Sequence, residues 1–232
     1  MKSRLVLFDI DGTILLTGGA GRRAITTALH EAVGSASSFQ HVRFDGKTDP
    51  QIVSELLDAA GHAGPHDAER IEALCRRYVT LLEQELQEPA TDAALMPGVH
   101  ALLDALEARS EVVLGLLTGN VAEGATLKLR AVGLDPARFE VGAYGSDAAH
   151  RPDLPAIAAE RARAHFGRAP SGHEVVIIGD TPADVACGIP LGARTIAVAT
   201  GGYSESDLAA CGPSAVFPDL SDTARVLAAI LD

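Results

Sequence analysis

Residues 4–16 read RLVLFDIDGTILL, and no other stretch limits the possible folds so tightly. Leu5-Val6-Leu7-Phe8 has the length and content of a strand buried on both faces. The run stops at Asp9-Ile10-Asp11-Gly12-Thr13, which puts two carboxylates one residue apart at the carboxyl end of that strand. Like charges at such range raise each other's pKa unless a cation neutralises them. Mg²⁺ suits the position, being a hard ion that takes oxygen ligands and keeps several waters. Gly12 permits a sharp turn or a close approach to a ligand, and Thr13 adds a hydroxyl able to cap the next element. Asp-Gly also marks ordinary turns, so the weight of this reading comes from the rest of the chain.

Two later apolar runs repeat the pattern. Residues 112–117, VVLGLL, end in Thr118-Gly119-Asn120, and residues 175–178, VVII, end in Gly179-Asp180-Thr181-Pro182-Ala183-Asp184. A weaker run at 195–198 leads into Ala199-Thr200-Gly201-Gly202, read as a loop. Helical patterns follow at 121–132 and 182–189, with another at 153–166. Strands alternating with helices predict an α/β fold, a Rossmann-like parallel sheet covered on both faces. Ligands of such sheets sit beyond the carboxyl ends of the strands, where these three polar sets fall.

Residues 16–89 differ. The segments 24–33, 50–60 and 67–88 read as amphipathic helices built from good helix formers, with no buried strand among them. Pro89 and then Met96-Pro97-Gly98 mark the return to the strand–helix pattern, with a helix over 99–109. The expected organisation is a core of residues 1–15 and 90–232, with 16–89 inserted as an α-helical cap. Gly18-Gly19-Ala20-Gly21 lacks the Gly-Lys-Ser/Thr of a P-loop and the placement of a dinucleotide fingerprint. It reads as a flexible linker into the insertion.

Composition narrows the partners. The 232 residues are 47% hydrophobic and carry a formal charge of -12, which leaves no basic stripe to neutralise a nucleic acid or an anionic membrane. A small phosphorylated metabolite, received by a local cation, stays compatible with that charge. Cys75, Cys187 and Cys211 have neither disulfide-framework nor zinc spacing, which suggests a reducing, cytoplasmic compartment. The start MKSRLVLFD lacks a signal-peptide pattern, and no apolar run is long enough to span a bilayer.

Phosphate-ester chemistry fits the polar sets. A carboxylate can attack phosphorus to give an aspartyl-phosphate, and Mg²⁺ can screen the two anions from each other. The Thr118 hydroxyl and the N–H groups of Gly119 and Asn120 are placed to hold phosphoryl oxygens at a helix N-terminus. A second carboxylate can protonate the leaving oxygen and then deprotonate water; Asp11 is near enough in sequence. Asp180 would complete the metal shell, and Asp184 would order it from nearby.

These residues carry a family resemblance. Asp9-Ile10-Asp11-Gly12-Thr13 resembles motif I of the haloacid dehalogenase superfamily in its Mg-dependent phosphatase branch. Leu117-Thr118-Gly119-Asn120 is similar to motif II, and Gly179-Asp180-Thr181-Pro182-Ala183-Asp184 to motif IV. The helical insertion stands where that superfamily carries a C1-type cap. In organisation the chain is most similar to the phosphoglycolate phosphatase-like group. The resemblance implies Asp9 as nucleophile, Asp11 as general acid/base, and a metal held by Asp9, the Asp11 carbonyl and Asp180. It further implies a small phosphorylated metabolite as substrate and a monomer or homodimer.

One motif departs from the group's usual Lys-Pro. In Gly145-Ser146-Asp147-Ala148-Ala149-His150-Arg151-Pro152, Arg151 occupies the lysine's place, and a guanidinium can contact two oxygens at once. Lys128 competes for that role; the reading adopted for it is a solvent-facing residue of the helix after Thr118. Phe44-Asp45-Gly46-Lys47-Thr48-Asp49 is either an exposed turn or the cap segment that selects substrate through Lys47, with Arg43 beside it. The Asp11 carboxylate argues against a dehalogenase. A phosphomutase, a phosphonatase using Lys47 and a catalytically weak binding or regulatory member stay as alternatives.

Overall fold

The computed structural model describes residues 3–34, 39–62 and 64–232. Strands β1 (Arg4–Phe8), β4 (Val112–Leu117), β5 (Val141–Ala143), β6 (Val175–Gly179), β7 (Arg194–Val198) and β8 (Ala215–Phe217) form one six-stranded sheet in the order β5-β4-β1-β6-β7-β8. Every pairing in it is parallel. The order reverses direction at β1, which is the switch point where α/β sheets open a crevice.

Alternation along the strands divides the core. Leu5 and Leu7 of β1 join Val113, Val175 and Ile177 on one face. Val6 and Phe8 join Leu114, Leu116, Val176 and Ile178 on the other. Helices α6 (Leu154–Arg161), α7 (Arg163–Phe166) and α8 (Pro182–Cys187) contribute to the first face, through residues such as Leu154, Ala158 and Cys187. Helices α4 (Val99–Glu107), α5 (Ala122–Ala131) and α10 (Thr223–Leu231) cover the second. Short α9 (Glu205–Ala209) packs on β7 and β8.

The register sets the level of the site. Phe8 pairs with Leu116 of β4 and Ile178 of β6. Asp9, Thr118 and Asp180 therefore leave three adjacent strands at one edge.

Helices α1 (Ala20–Val33), α2 (Asp49–Ala59) and α3 (Ala68–Gln87) build a separate apolar cluster around Ile25, Leu29, Leu56, Leu57, Tyr78 and Leu82. Two-residue strands β2 (Leu15–Leu16) and β3 (Ala94–Leu95) pair antiparallel where the chain enters and leaves these helices.

Several expectations are corrected. Ala20 and Gly21 lie inside α1, with Ala20 fully buried, so the glycine-rich stretch is no flexible linker. Gly18 and Gly19 make the preceding turn at φ 54° and 83°, and any Cβ on Gly18 would press on the Asp92 backbone. The pattern at 153–166 opens with a 3₁₀ turn, Arg151–Asp153, and then splits into α6 and α7. Edge strands β5 and β8 were not expected from the sequence.

Leu82 is fully buried in the helical cluster. Leu82→Ala is expected to cost about 2–5 kcal/mol of unfolding free energy, from lost transfer energy plus a cavity, as measured by urea denaturation. A cost below that range would mean that the cluster is loosely packed.

Candidate active site

Three buried carboxylates converge at the sheet edge. Asp9, Asp180 and Asp184 offer oxygens that all lie within 4.8 Å of one another. Asp9 and Asp180 are placed by the ends of β1 and β6. Asp184 enters from the first turn of α8, where its Oδ2 accepts the Thr181 N–H at 3.0 Å and the Thr181 hydroxyl at 2.6 Å. The Thr13 hydroxyl donates to Asp180 Oδ1 at 3.1 Å. Any Cβ on Gly12 or Gly201 would collide with the Asp180 carboxylate, so both loops close onto it. Thr200 fastens them together by donating to the Gly12 carbonyl at 2.5 Å.

Arg151 answers part of this charge. Its guanidinium is 4% exposed, donates to Asp184 Oδ1, and stands 3.2 Å from Asp9 Oδ1. Burial works against its charge, but Asp184 and Asp9 outweigh burial and hold its pKa above the usual arginine range. The Arg151 Nε has no partner among the described residues. Burial pushes Asp9 up to about 6; Arg151 opposes the shift, and Asp184 and Asp11 add to it. Burial, then Asp184 and Asp9, push Asp180 up to about 9. These upward shifts mark a cluster short of positive charge, and its all-oxygen donor set would fit a hard divalent cation.

Lys128 corrects an expectation. It does not face solvent: it is 4% exposed on the inward side of α5, the side that carries Ala125 and Leu129. Its Nζ donates to Asp11 Oδ1 at 2.8 Å, Asp11 Oδ2 at 2.7 Å and Asn120 Oδ1 at 2.6 Å. The Asn120 amide in turn donates to Asp11 Oδ2 and to the Thr118 hydroxyl, both at 2.7 Å. The two cations thus serve different carboxylates, Arg151 the buried cluster and Lys128 the half-exposed Asp11. A signal for Lys128 was present in its spacing, four residues after Gly124 and seven after Val121.

The segment 44–49 is not an exposed turn. Thr48 is fully buried, caps α2, and donates to the Ala149 carbonyl at 2.6 Å. The Asp49 N–H donates to the Gly119 carbonyl at 2.7 Å, and Asp49 Oδ2 accepts the Val121 N–H at 2.8 Å. Lys47 lines the same cavity, its ammonium 2.5 Å from Glu55. The cavity, about 250 Å³, is bounded by Asp9, Asp11, Thr118, Arg151 and Asp180 on the sheet side and by residues of α1, α2 and α3 opposite. The Gly119 N–H has no backbone partner among the described residues. Among those residues no helix is long and apolar enough to cross a membrane.

Known proteins share this architecture. The family of haloacid dehalogenase-like hydrolases matches over residues 6–198, and the chain belongs to it. Among curated proteins none matches. CbbY from Rhodobacter sphaeroides, solved in complex with phosphate, superposes with a TM-score of 0.74 at 20% identity, covering 96% of each chain. A predicted phosphoglycolate phosphatase from Haemophilus somnus gives 0.69 at 18% identity, covering 97% of this chain and 98% of its own. A protein assigned as a β-phosphoglucomutase from Bacteroides vulgatus gives 0.70 at 18%, covering 99% and 89%. Such likenesses establish the fold they share.

A Cβ on Gly119 would strike the Lys47 carbonyl oxygen. Gly119→Ala is therefore expected to pry residues 44–49 from the end of β4, at a cost of about 1–3 kcal/mol, and to speed hydrogen exchange at the Asp49 amide. Unchanged exchange there would show that the close approach is dispensable.

Proposed function

We propose that the chain hydrolyses monophosphate esters of small metabolites through an aspartyl-phosphate on Asp9. The observation that carries this reading is the placement of Asp9. Its carboxylate sits at the cavity floor, within reach of Arg151 and beside Thr118 and the Gly119 N–H. An Asp9 oxygen bonds to phosphorus while the bond from phosphorus to the ester oxygen breaks. Asp11, held at the cavity by Lys128 and Asn120, gives its proton to the leaving oxygen. Asp11 then takes a proton from a water whose oxygen attacks phosphorus, which frees phosphate and restores Asp9. Arg151, Thr118 and the N–H groups of Gly119 and Asn120 hold the phosphoryl oxygens meanwhile.

Asp9, the Asp11 carbonyl and Asp180 would hold Mg²⁺, with Asp184 ordering them from nearby. That ion supplies the positive charge that lets one anion approach another. Residues 16–89 act as the cap over the core of 1–15 and 90–232, with Lys47 on the cap side of the substrate. The phosphate bound to CbbY from Rhodobacter sphaeroides and the phosphatase assignment of the Haemophilus somnus protein support the substrate class.

Hydrolysis of p-nitrophenyl phosphate is expected to vanish in EDTA and return with Mg²⁺; full activity in chelator would overturn the metal assignment. Asp9→Asn is expected to abolish both turnover and trapping by beryllium fluoride, and retained turnover would refute the nucleophile. Arg151→Ala is expected to lower kcat/KM for every ester tested by a similar factor, on the order of 10²–10³.

A further inference from the structure

Two polar groups on the cavity wall take no part in this hydrolysis. Tyr78, on α3, is 1% exposed and sits in the apolar cluster of the helices. Its hydroxyl reaches the cavity beside Gly21: a Cβ built there would lie 3.8 Å from the Tyr78 oxygen and 3.5 Å from Lys128 Nζ. Among the described residues that hydroxyl has no hydrogen-bond partner. Asp49 is the second group. It is 7% exposed and spends Oδ2 on the Val121 N–H, while Oδ1 accepts nothing from the described residues. Neither oxygen is sealed in the interior; both residues line the cavity, where a substrate hydroxyl can reach an oxygen that no described protein group occupies.

Their chemistry selects among substrates. Asp49 Oδ1 is an acceptor and repels another carboxylate. The Tyr78 phenol both donates and accepts, and burial, with Asp49 and Asp11 nearby, holds its pKa well above the ordinary value, so it stays neutral. Lys128 turns its ammonium to the Asp11 carboxylate and the Asn120 carbonyl oxygen, so its charge on this wall is largely answered by Asp11. Arg22 also borders the cavity, but it is exposed, lies over the Phe44 ring at 3.8 Å and donates to the Val42 carbonyl.

We infer that Tyr78 and Asp49 bind a hydroxyl of the leaving alcohol, so that the substrates are monophosphates of small uncharged polyols or sugars rather than of hydroxy acids. This rests on the phosphatase reading above. The hydroxyl donates its one hydrogen to Asp49 Oδ1 and accepts from the Tyr78 O–H. A leaving group with a carboxylate in the same place meets Asp49 head-on.

The test compares kcat/KM for glycerol 1-phosphate, ethyl phosphate, ethanolamine phosphate and 2-phosphoglycolate, in the wild-type chain and in Tyr78→Phe. Phe keeps the ring and its packing, and thermal unfolding verifies that it does. Glycerol 1-phosphate is expected to be the best of the four. Tyr78→Phe is expected to reduce its advantage over ethyl phosphate about tenfold, and Asp49→Asn to reduce it in the same direction. Preference for 2-phosphoglycolate or ethanolamine phosphate, or an unchanged ratio in Tyr78→Phe, would overturn the inference and leave the phosphatase reading standing. No hydrolysis of any ester, p-nitrophenyl phosphate included, would overturn both.

Discussion

Burying Asp9, Asp180 and Asp184 against one guanidinium is the constraint around which the molecule is arranged. An isolated buried carboxylate is costly, and here burial already raises two of the three pKa values to about 6 and about 9. What keeps the cluster together is specific: Arg151 between Asp9 and Asp184, the Thr13 hydroxyl on Asp180, and the Thr181 cap on Asp184. Each donor comes from a different strand end or helix start. The parallel register is therefore an electrostatic requirement as well as a packing one.

A second charge system ties the helical layer to the sheet. Lys128 neutralises Asp11 from α5, Asn120 connects them to Thr118, and Asp49 fastens the start of α2 to the backbone after β4. The contact is close: the carbonyl of Lys47 lies where a side chain on Gly119 would have to go, and the carbonyl of Gly119 where one on Gly145 would. Backbone meets backbone there, and small residues at 119 and 145 are what permit it. The cavity takes its floor from the sheet and its walls from α1, α2 and α3, so floor and walls belong to different apolar clusters.

Family membership and the shared fold say which elements meet; the contacts at the meeting point are made by particular side chains. Arg151 gives the cluster a planar, permanently charged partner able to face Asp9 and Asp184 together. Lys128 is a further buried cation, bound to Asp11 and Asn120 and close enough to Asp49 to oppose its upward pKa shift.

The sequence by itself determined the sheet and its polar edge. β1, β4, β6 and β7 were legible because each is a continuous apolar run, which only a strand covered on both faces can use, ending abruptly in polar residues. Asp9, Asp11, Thr118, Asp180 and Asp184 were legible because chain order places them at the ends of those strands. Strands β5 and β8 were not, since three residues at a sheet edge leave no periodic signal. Only the tertiary structure decided the partners. Lys128 read as a solvent residue because a lysine on a short amphipathic helix usually is one; the helices packed over α5 turned it inward to a carboxylate more than a hundred positions away in the chain. Tyr78 carries no signal in the sequence beyond its place in the helical pattern over 67–88, and its hydroxyl reaches a cavity only because α1, α3 and α5 meet around one. Hydrophobic periodicity is written locally, residue by residue. Charge pairing across the chain depends on where separate elements come to rest, and no local pattern records that.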